Sequence, residues 1–526
     1  MTRKTEQQGG LPRWKRRLRF GIGAAFLLLI VLPYLLPGPT PPTAGFAVRS
    51  ESFPCPPDRI HLLIDSTSHP PDAEGSVLDH AIFDALLDQI ARADDFICAD
   101  FFLWNPWEGA VRGNHRDLAE ELAAALIARK LEDPDLPIVV LTDPINRIYG
   151  NDEPEFFAMM AEAGIPVVFT DLTRLADSNF LYARPARFYG PILSTLLTPT
   201  GLLDRRWIGN PFDPDLGPIS LRQMGHLLYF KANHRKILVT RSAERGIELT
   251  AGSLNPANGS AAHSNLAVQL TGPVAQAALG TELSVIRWSA REGTVLEDEP
   301  GRLDATVAAI LKRTLMDWDD YLVDEATARA TWLTESRIRE AVVDQLERAG
   351  SGDRIEIAMF YLSDRMVIDA LKAAVRRDVS IFLILDANRD AFGREKNGIP
   401  NRPVAAELMR LGRDHPIEIR WADTRGEQFH PKAMAVIPAD GRPPVLLLGS
   451  ANWTRRNLGD LNLESDLLLE NPGPALDEFR RWFAGRWTNA GQPSTVDYDI
   501  WAIGGVTRFW KTALYRFQEA LGAGTF

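Results

Sequence analysis

An order of strands and helices that occurs twice sets the tightest limit on how this chain folds. Apolar runs of strand length at 60–64, 95–103, 138–142 and 167–170 alternate with helical spacing over 81–93, 118–130 and 154–163. The pattern returns after residue 325. Strands are predicted around 332–333 and over 355–362, 379–385 and 417–421, with helices over 337–349, 366–376 and 404–411. Asp95 to Leu103 parallels Asp353 to Tyr361, and Asp143, Asn146 and Gly150 parallel Asp386, Asn388 and Gly393. Two diverged copies of one α/β unit account for this better than two unrelated domains. The first copy is placed at 55–325 and the second at 326–490. Residues 172–225 are an insertion in the first copy, mixing Arg184, Arg187, Arg205, Arg206 and Arg222 with Phe180, Tyr182, Phe188, Tyr189 and Trp207. It reads equally as a lid, as a lipid-head-group contact or as packing over the domain edge.

Each copy ends in the same polar constellation. His234-Arg235-Lys236 is followed after 15 residues by Gly252-Ser253-Leu254-Asn255, and His430-Pro431-Lys432 after 16 residues by Gly449-Ser450-Ala451-Asn452. Each His-x-Lys opens an apolar strand, where residues i and i+2 share a face, so His and Lys project together. The Gly-Ser-x-Asn follows a second strand, and a hairpin returns it beside the His. One His-x-Lys is common. Two at matching spacing, in matching places of a repeat, are hard to ascribe to chance.

These residue types suit a phosphodiester. Its non-bridging oxygens need fixed donors, which Lys236, Lys432, Asn255 and Asn452 supply. It also needs an in-line nucleophile and an acid for the leaving oxygen, roles that two imidazoles can divide. Ser253 and Ser450 can fix the loops. No cluster of metal-ligand residues is visible, and neither metal nor cofactor is expected. His263 reads as a loop histidine.

Over about residues 55–490 the sequence resembles the phospholipase D superfamily. Asn233 to Leu238 and Asn462-Leu463-Glu464 are most similar to the bacterial cardiolipin synthase branch. The resemblance implies two α/β halves with pseudo-two-fold symmetry, one active site at their seam, and metal-independent phosphodiester hydrolysis or phosphatidyl transfer through a phosphohistidine. The family pattern His-x-Lys-x₄-Asp is broken in both copies, where Arg241 and Ile437 stand at the Asp position. Some members, such as the tyrosyl-DNA phosphodiesterases, also lack it. The family carries a histidine-orienting residue after Gly-Ser-x-Asn. Here that residue is Glu464 in the second copy and Asn265 in the first. Within each copy, Glu464 is then expected to orient His430 and Asn265 to orient His234. That pairing makes His234, without a carboxylate, the nucleophile and His430 the acid.

Charge bears on location and substrate. The chain of 526 residues carries a formal charge of −11, which disfavours a duplex nucleic acid partner. Residues 1–19 hold seven basic residues against Glu6 alone, a basic leader before the uncharged run 20–36. At 1.5 Å per residue that run reaches about 26 Å, enough for a thin bilayer. It reads as an uncleaved anchor with the N-terminus in the cytoplasm and the body outside, periplasmic in a bacterium. A cleaved signal peptide is the competing reading. A Pro-rich linker, 37–54, follows. The tail, 491–526, is amphipathic, with Val506, Phe509, Trp510, Ala513, Leu514, Phe517 and Leu521 at helical spacing; it suits a membrane interface or docking on the body. Cys55 and Cys98 are the only cysteines, with Cys98 read as a core thiol and a disulfide between them as the lesser reading. The expected function is a membrane-anchored phosphodiesterase or phosphatidyltransferase on phospholipid. Alternatives are an anchored single-strand nucleic-acid phosphodiesterase and an inactive lipid-binding member. Oligomeric state is not legible.

Overall fold

The computed structural model describes residues 28, 30–35, 46–70, 75–108, 115–150, 152–179, 183–212, 216–227, 231–314, 328–391, 394–412, 414–522 and 524. The predicted basic leader and most of the predicted anchor and linker lie outside them. Residues 30–35 are helical, and among the described residues no helix is long and apolar enough to cross a membrane.

Two nine-stranded sheets carry the chain. The first runs Val295–Leu296, Val167–Phe169, Ile138–Thr142, Phe96–Phe101, Lys236–Ser242, Gly246–Gly252, Asn265–Thr271, Ile60–Ser68, Val77–His80. The second runs Thr495–Asp497, Ile417–Ala422, Ser380–Leu385, Arg354–Met359, Lys432–Ile437, Val445–Gly449, Ser465–Glu470, Ala328–Thr334, Phe53–Cys55. In that direction the two orders correspond strand for strand except at the last place, where the N-terminal strand Phe53–Cys55 has crossed into the second sheet. In each sheet three strands at one end are parallel and need helical crossovers. Leu118–Glu132 and Glu155–Glu162 supply them in the first half, Arg365–Arg376 and Asn401–Leu408 in the second. The His-x-Lys strands lie at the centre of each sheet, and their partners return through hairpins, as the motif spacing implied.

The halves are joined by one apolar core. Ile237, Val239, Leu249 and Val268 of the first sheet share it with Ala433, Ala435, Leu446 and Leu467 of the second. Each sheet has a separate core on its outer face. Cys55 and Cys98 are both free and buried in the shared core, so the disulfide reading is set aside. Burial pushes the Cys55 thiol up to about 11.

An ionic cluster crosses the same seam. Arg235, the middle residue of the first His-x-Lys, is buried and donates to Glu282 at 2.8 Å and to Glu335 of the second half at 2.6 Å. Glu335 in turn accepts from the backbone N–H of Glu464 at 3.1 Å. Removing one partner of such a cluster strands buried carboxylates. Arg235→Leu is therefore expected to cost about 3–5 kcal/mol, measured as a drop in midpoint on denaturant unfolding. A variant of wild-type stability would contradict a bridging role.

Candidate active site

The centre of the molecule is a cleft of about 820 Å³ between the C-terminal edges of the two halves, lined by His234 and Asn255 of the first and by His430 and Asn452 of the second. Two short parallel bridges set its geometry. Asn233 pairs with Leu463, and Ser264 with Phe429. His234 N–H donates to Leu463 O at 2.8 Å, and His430 N–H to Ser264 O at 3.0 Å. Each bridge lies one residue before a catalytic candidate and one before an orienter, so it seats the histidine of one half beside the orienter of the other.

The expected pairing is thereby reversed. His234 Nδ1 meets Glu464 Oε2 at 3.0 Å, and His430 Nδ1 meets Asn265 Oδ1 at 3.1 Å. The orienters follow their own Gly-Ser-x-Asn in sequence, but the bridges connect across the seam, and sequence spacing carries no sign of that exchange. The serines, expected to fix the loops, bond to the orienters. Ser253 Oγ donates to Asn265 Oδ1 at 3.0 Å and accepts from Leu266 N at 3.1 Å. Ser450 Oγ donates to Glu464 at 2.5 Å and accepts from Ser465 N at 3.0 Å. Asn457 Nδ2 holds the other oxygen of Glu464.

The lysines sit symmetrically. Lys236 Nζ donates to His234 O, and Lys432 Nζ to His430 O at 2.6 Å. Their ammonium groups lie 4.9 and 5.3 Å from the rings of Phe102 and Phe360, which also pack on His234 and His430 at 4.8 and 5.0 Å. These two phenylalanines were not singled out by the motif. They stand at matched positions of the repeated segments Asp95–Leu103 and Asp353–Tyr361, which is the signal that marks them. Asn255 Oδ1 accepts from Leu103 N at 3.4 Å, which turns its amide N–H₂ elsewhere, and Asn452 Oδ1 is buried without a hydrogen bond. His263, read from sequence as a loop residue, lines the cleft 6.0 Å from the His430 ring.

Arg241 and Ile437, at the broken Asp positions, lie five residues along the strand from the lysines, about 16 Å at strand rise. Arg241 pairs with Asp95 at 3.0 Å, and Ile437 packs against the shared core. The missing carboxylates thus belong to the far ends of the strands. Asp143 and Asp386 instead hold the approach to each histidine, accepting from Asn233 N at 2.7 Å and Phe429 N at 2.9 Å.

The insertion lines the cleft through Leu172, Thr173, Phe212, Arg222 and Met224. Its arginines are mostly engaged within the protein: Arg187 with Asp177, Arg206 with Asp152, Arg222 with Asp204 at 2.7 Å. Phe180 and Tyr182 lie outside the described residues.

Residues 342–487 match the family described as cardiolipin synthase, PLD-like domain. The match spans most of the second half, which is similar to that phospholipase D-like domain. The first half repeats its strand order and its His-x-Lys and Gly-Ser-x-Asn residues. By structure the chain is similar to phosphatidylserine synthase from Haemophilus influenzae Rd KW20, with a TM-score of 0.50 and 12% identity over 90% of this chain and 95% of that one, a likeness of fold. It is also similar to Nuc, a phospholipase D family member from Salmonella typhimurium, at a TM-score of 0.25 and 20% identity, covering 32% of this chain and 98% of that one. No curated protein matches the chain by sequence.

Electrostatics define the resting state of the cleft. Burial and the two lysines push both His234 and His430 well below the usual histidine range. Burial lowers Lys236 to about 7 and pushes Lys432 well below the usual lysine range, the latter also through repulsion by Lys236. Burial raises Glu464 to about 8. A bound anion would move the histidines and lysines back up by compensating the positive charge, and would not lower Glu464. For His234 to attack, Nε2 must be bare and Nδ1–H must face a carboxylate. Protonated Glu464 would instead donate to Nδ1 and leave the proton on Nε2. The rate of attack on a substrate with a good leaving group should therefore rise with pH through about 8 as Glu464 ionises. In Glu464→Gln that rise should vanish and the rate should fall by about 10²–10⁴. A pH–rate profile unchanged by the substitution would refute the role given to Glu464.

Proposed function

We propose that this protein is a membrane-associated phosphodiesterase or phosphatidyltransferase of the phospholipase D type, acting on phospholipids through a phosphohistidine on His234. The observation that carries the reading is the convergence of both His-x-Lys and both Gly-Ser-x-Asn motifs on one cleft, each histidine oriented by the other half. Lys236, Lys432, Asn255 and Asn452 surround the position of the non-bridging oxygens. His234 attacks phosphorus, the ester bond to the leaving oxygen breaks, and His430 gives that oxygen a proton. His430 then takes a proton from the acceptor, water or an alcohol, which displaces His234. Glu464 favours His234 as nucleophile because its negative charge stabilises the imidazolium that forms on phosphorylation, a different ground from the absence of a carboxylate expected from sequence.

Phospholipid as substrate is supported by the apolar wall of the cleft, where Phe102, Phe360, Ile148, Leu172 and Met224 surround the polar centre, and by the acidic body. The basic leader and apolar run 20–36 support an anchor with the cleft outside the cytoplasm. One observation favours a second reading, a single-stranded nucleic acid: Trp107, Tyr149 and Phe212 form a stack along the cleft, at 6.0 and 4.5 Å between rings. Lipid mass spectrometry after incubation with mixed phospholipid vesicles, with and without glycerol, decides between them. Head-group release or exchange is expected. Cleavage of a single-stranded oligonucleotide with no change in lipid would move the assignment to the second reading.

The lysines already supply the positive charge that phosphoryl chemistry requires. Chelator is expected to leave the rate unchanged; loss of rate with rescue by a divalent ion would contradict this mechanism.

A further inference from the structure

The helix Gly505–Leu521 is amphipathic, but it is docked the wrong way round for a helix that serves only the body. Its polar side faces inward. Lys511 Nζ donates to Asn397 O, Glu519 accepts from Ser363 Oγ at 2.5 Å and from Arg455 N at 3.3 Å, and the buried Tyr515 hydroxyl accepts from Arg365 at 3.3 Å. Its apolar side faces out: Val506, Phe509, Trp510, Leu514 and Phe517 are between 42% and 73% exposed. Three aromatic rings exposed to this degree present roughly 400 Å² of apolar surface on one stripe, as large as the biggest patch of an ordinary monomer.

We propose that this stripe inserts into an anionic lipid surface and sets the cleft against it; the proposal deepens the phospholipid reading above and rests on it for the purpose of the docking. Three observations choose lipid as the occupant. Phe, Trp and Leu on one side with Arg516 at its margin is the composition of an interfacial helix, and the helix's one acid, Glu519, is turned into the body. The stripe also has a companion. The insertion helix Ala183–Leu197 exposes Ile192, Leu193 and Leu196, and Trp207 follows nearby in sequence. Arg455 ties the C-terminal helix to the start of the insertion, donating to Glu519 O at 3.1 Å and to Ser178 O, five residues before the insertion helix, at 3.3 Å. Finally, the same insertion lines the catalytic cleft through Leu172, Phe212 and Met224. A surface that takes up both patches therefore lies beside the cleft.

The test uses the full chain with a single label. Both native cysteines are buried, so Phe517→Cys takes an environment-sensitive fluorophore selectively. The protein is reconstituted into phosphatidylcholine–phosphatidylglycerol vesicles, some carrying brominated acyl chains. The expected result is a blue-shifted emission quenched by the brominated chains, with no quenching of a label at Asp477. A water-like emission in vesicles overturns the proposal. So does a blue shift that appears without lipid and grows with protein concentration, which would assign the stripe to a second copy. In a second arm, Phe509→Ser/Trp510→Ser/Phe517→Ser should lower turnover of a vesicle-borne phosphodiester on the order of tenfold and leave a soluble chromogenic phosphodiester unaffected. An equal rate on both overturns the role in docking. Absence of turnover on either substrate by the unsubstituted protein would count against the phospholipid reading alone, because the fluorescence reads insertion independently of chemistry.

Discussion

Two short backbone bridges, Asn233 with Leu463 and Ser264 with Phe429, hold this site together. They are the points where one half of the chain touches the other next to a histidine. Through them each half gives up its orienter: Glu464 to His234, Asn265 to His430. Neither half alone contains a complete histidine pair. The shared apolar core and the Arg235–Glu335 contact stabilise the one arrangement of the halves in which both exchanges are made.

The exchange also differentiates two motifs that are nearly identical in sequence. A carboxylate beside one imidazole and an amide beside the other is the largest asymmetry at the centre of a pseudo-symmetric site. Imidazolium formed on attack is compensated where Glu464 stands. Asn265 fixes the ring of His430 but adds no charge, so that histidine gains its proton from the field of the bound anion instead. In the proposed mechanism nucleophile and acid are thus divided by the residues across the seam and not by the motifs themselves.

Much of this was legible in the sequence because it is local. Strand order follows from apolar runs of fixed period, and the projection of His234 with Lys236, or His430 with Lys432, follows from the alternation of a strand. Ser253 and Ser450 were expected to fix the loops, and each holds the orienter that follows it in its own half. What sequence could not reach is the relation between halves. The partners of Glu464 and Asn265 depend on a docking that no spacing records, and so does the burial of Arg235 between Glu282 and Glu335. The direction in which Gly505–Leu521 lies was hidden for the same reason, since its periodicity reveals an apolar side but not what that side faces. Arg241 and Ile437 depart from the family pattern in sequence, and only the structure shows what they touch there, Asp95 and the shared core.

The most direct measurement is intact-mass detection of a phosphoryl-enzyme adduct after brief exposure to a diester with a good leaving group, comparing Glu464→Gln with Asn265→Ala. Because Glu464 serves the nucleophile, the account predicts that Glu464→Gln forms adduct slowly or not at all. Asn265 serves the acid and base, so Asn265→Ala should form adduct at the unsubstituted rate and retain it, as resolution by the acceptor is slowed. Adduct accumulating in Glu464→Gln and absent from Asn265→Ala would place each orienter within its own half and contradict the exchange.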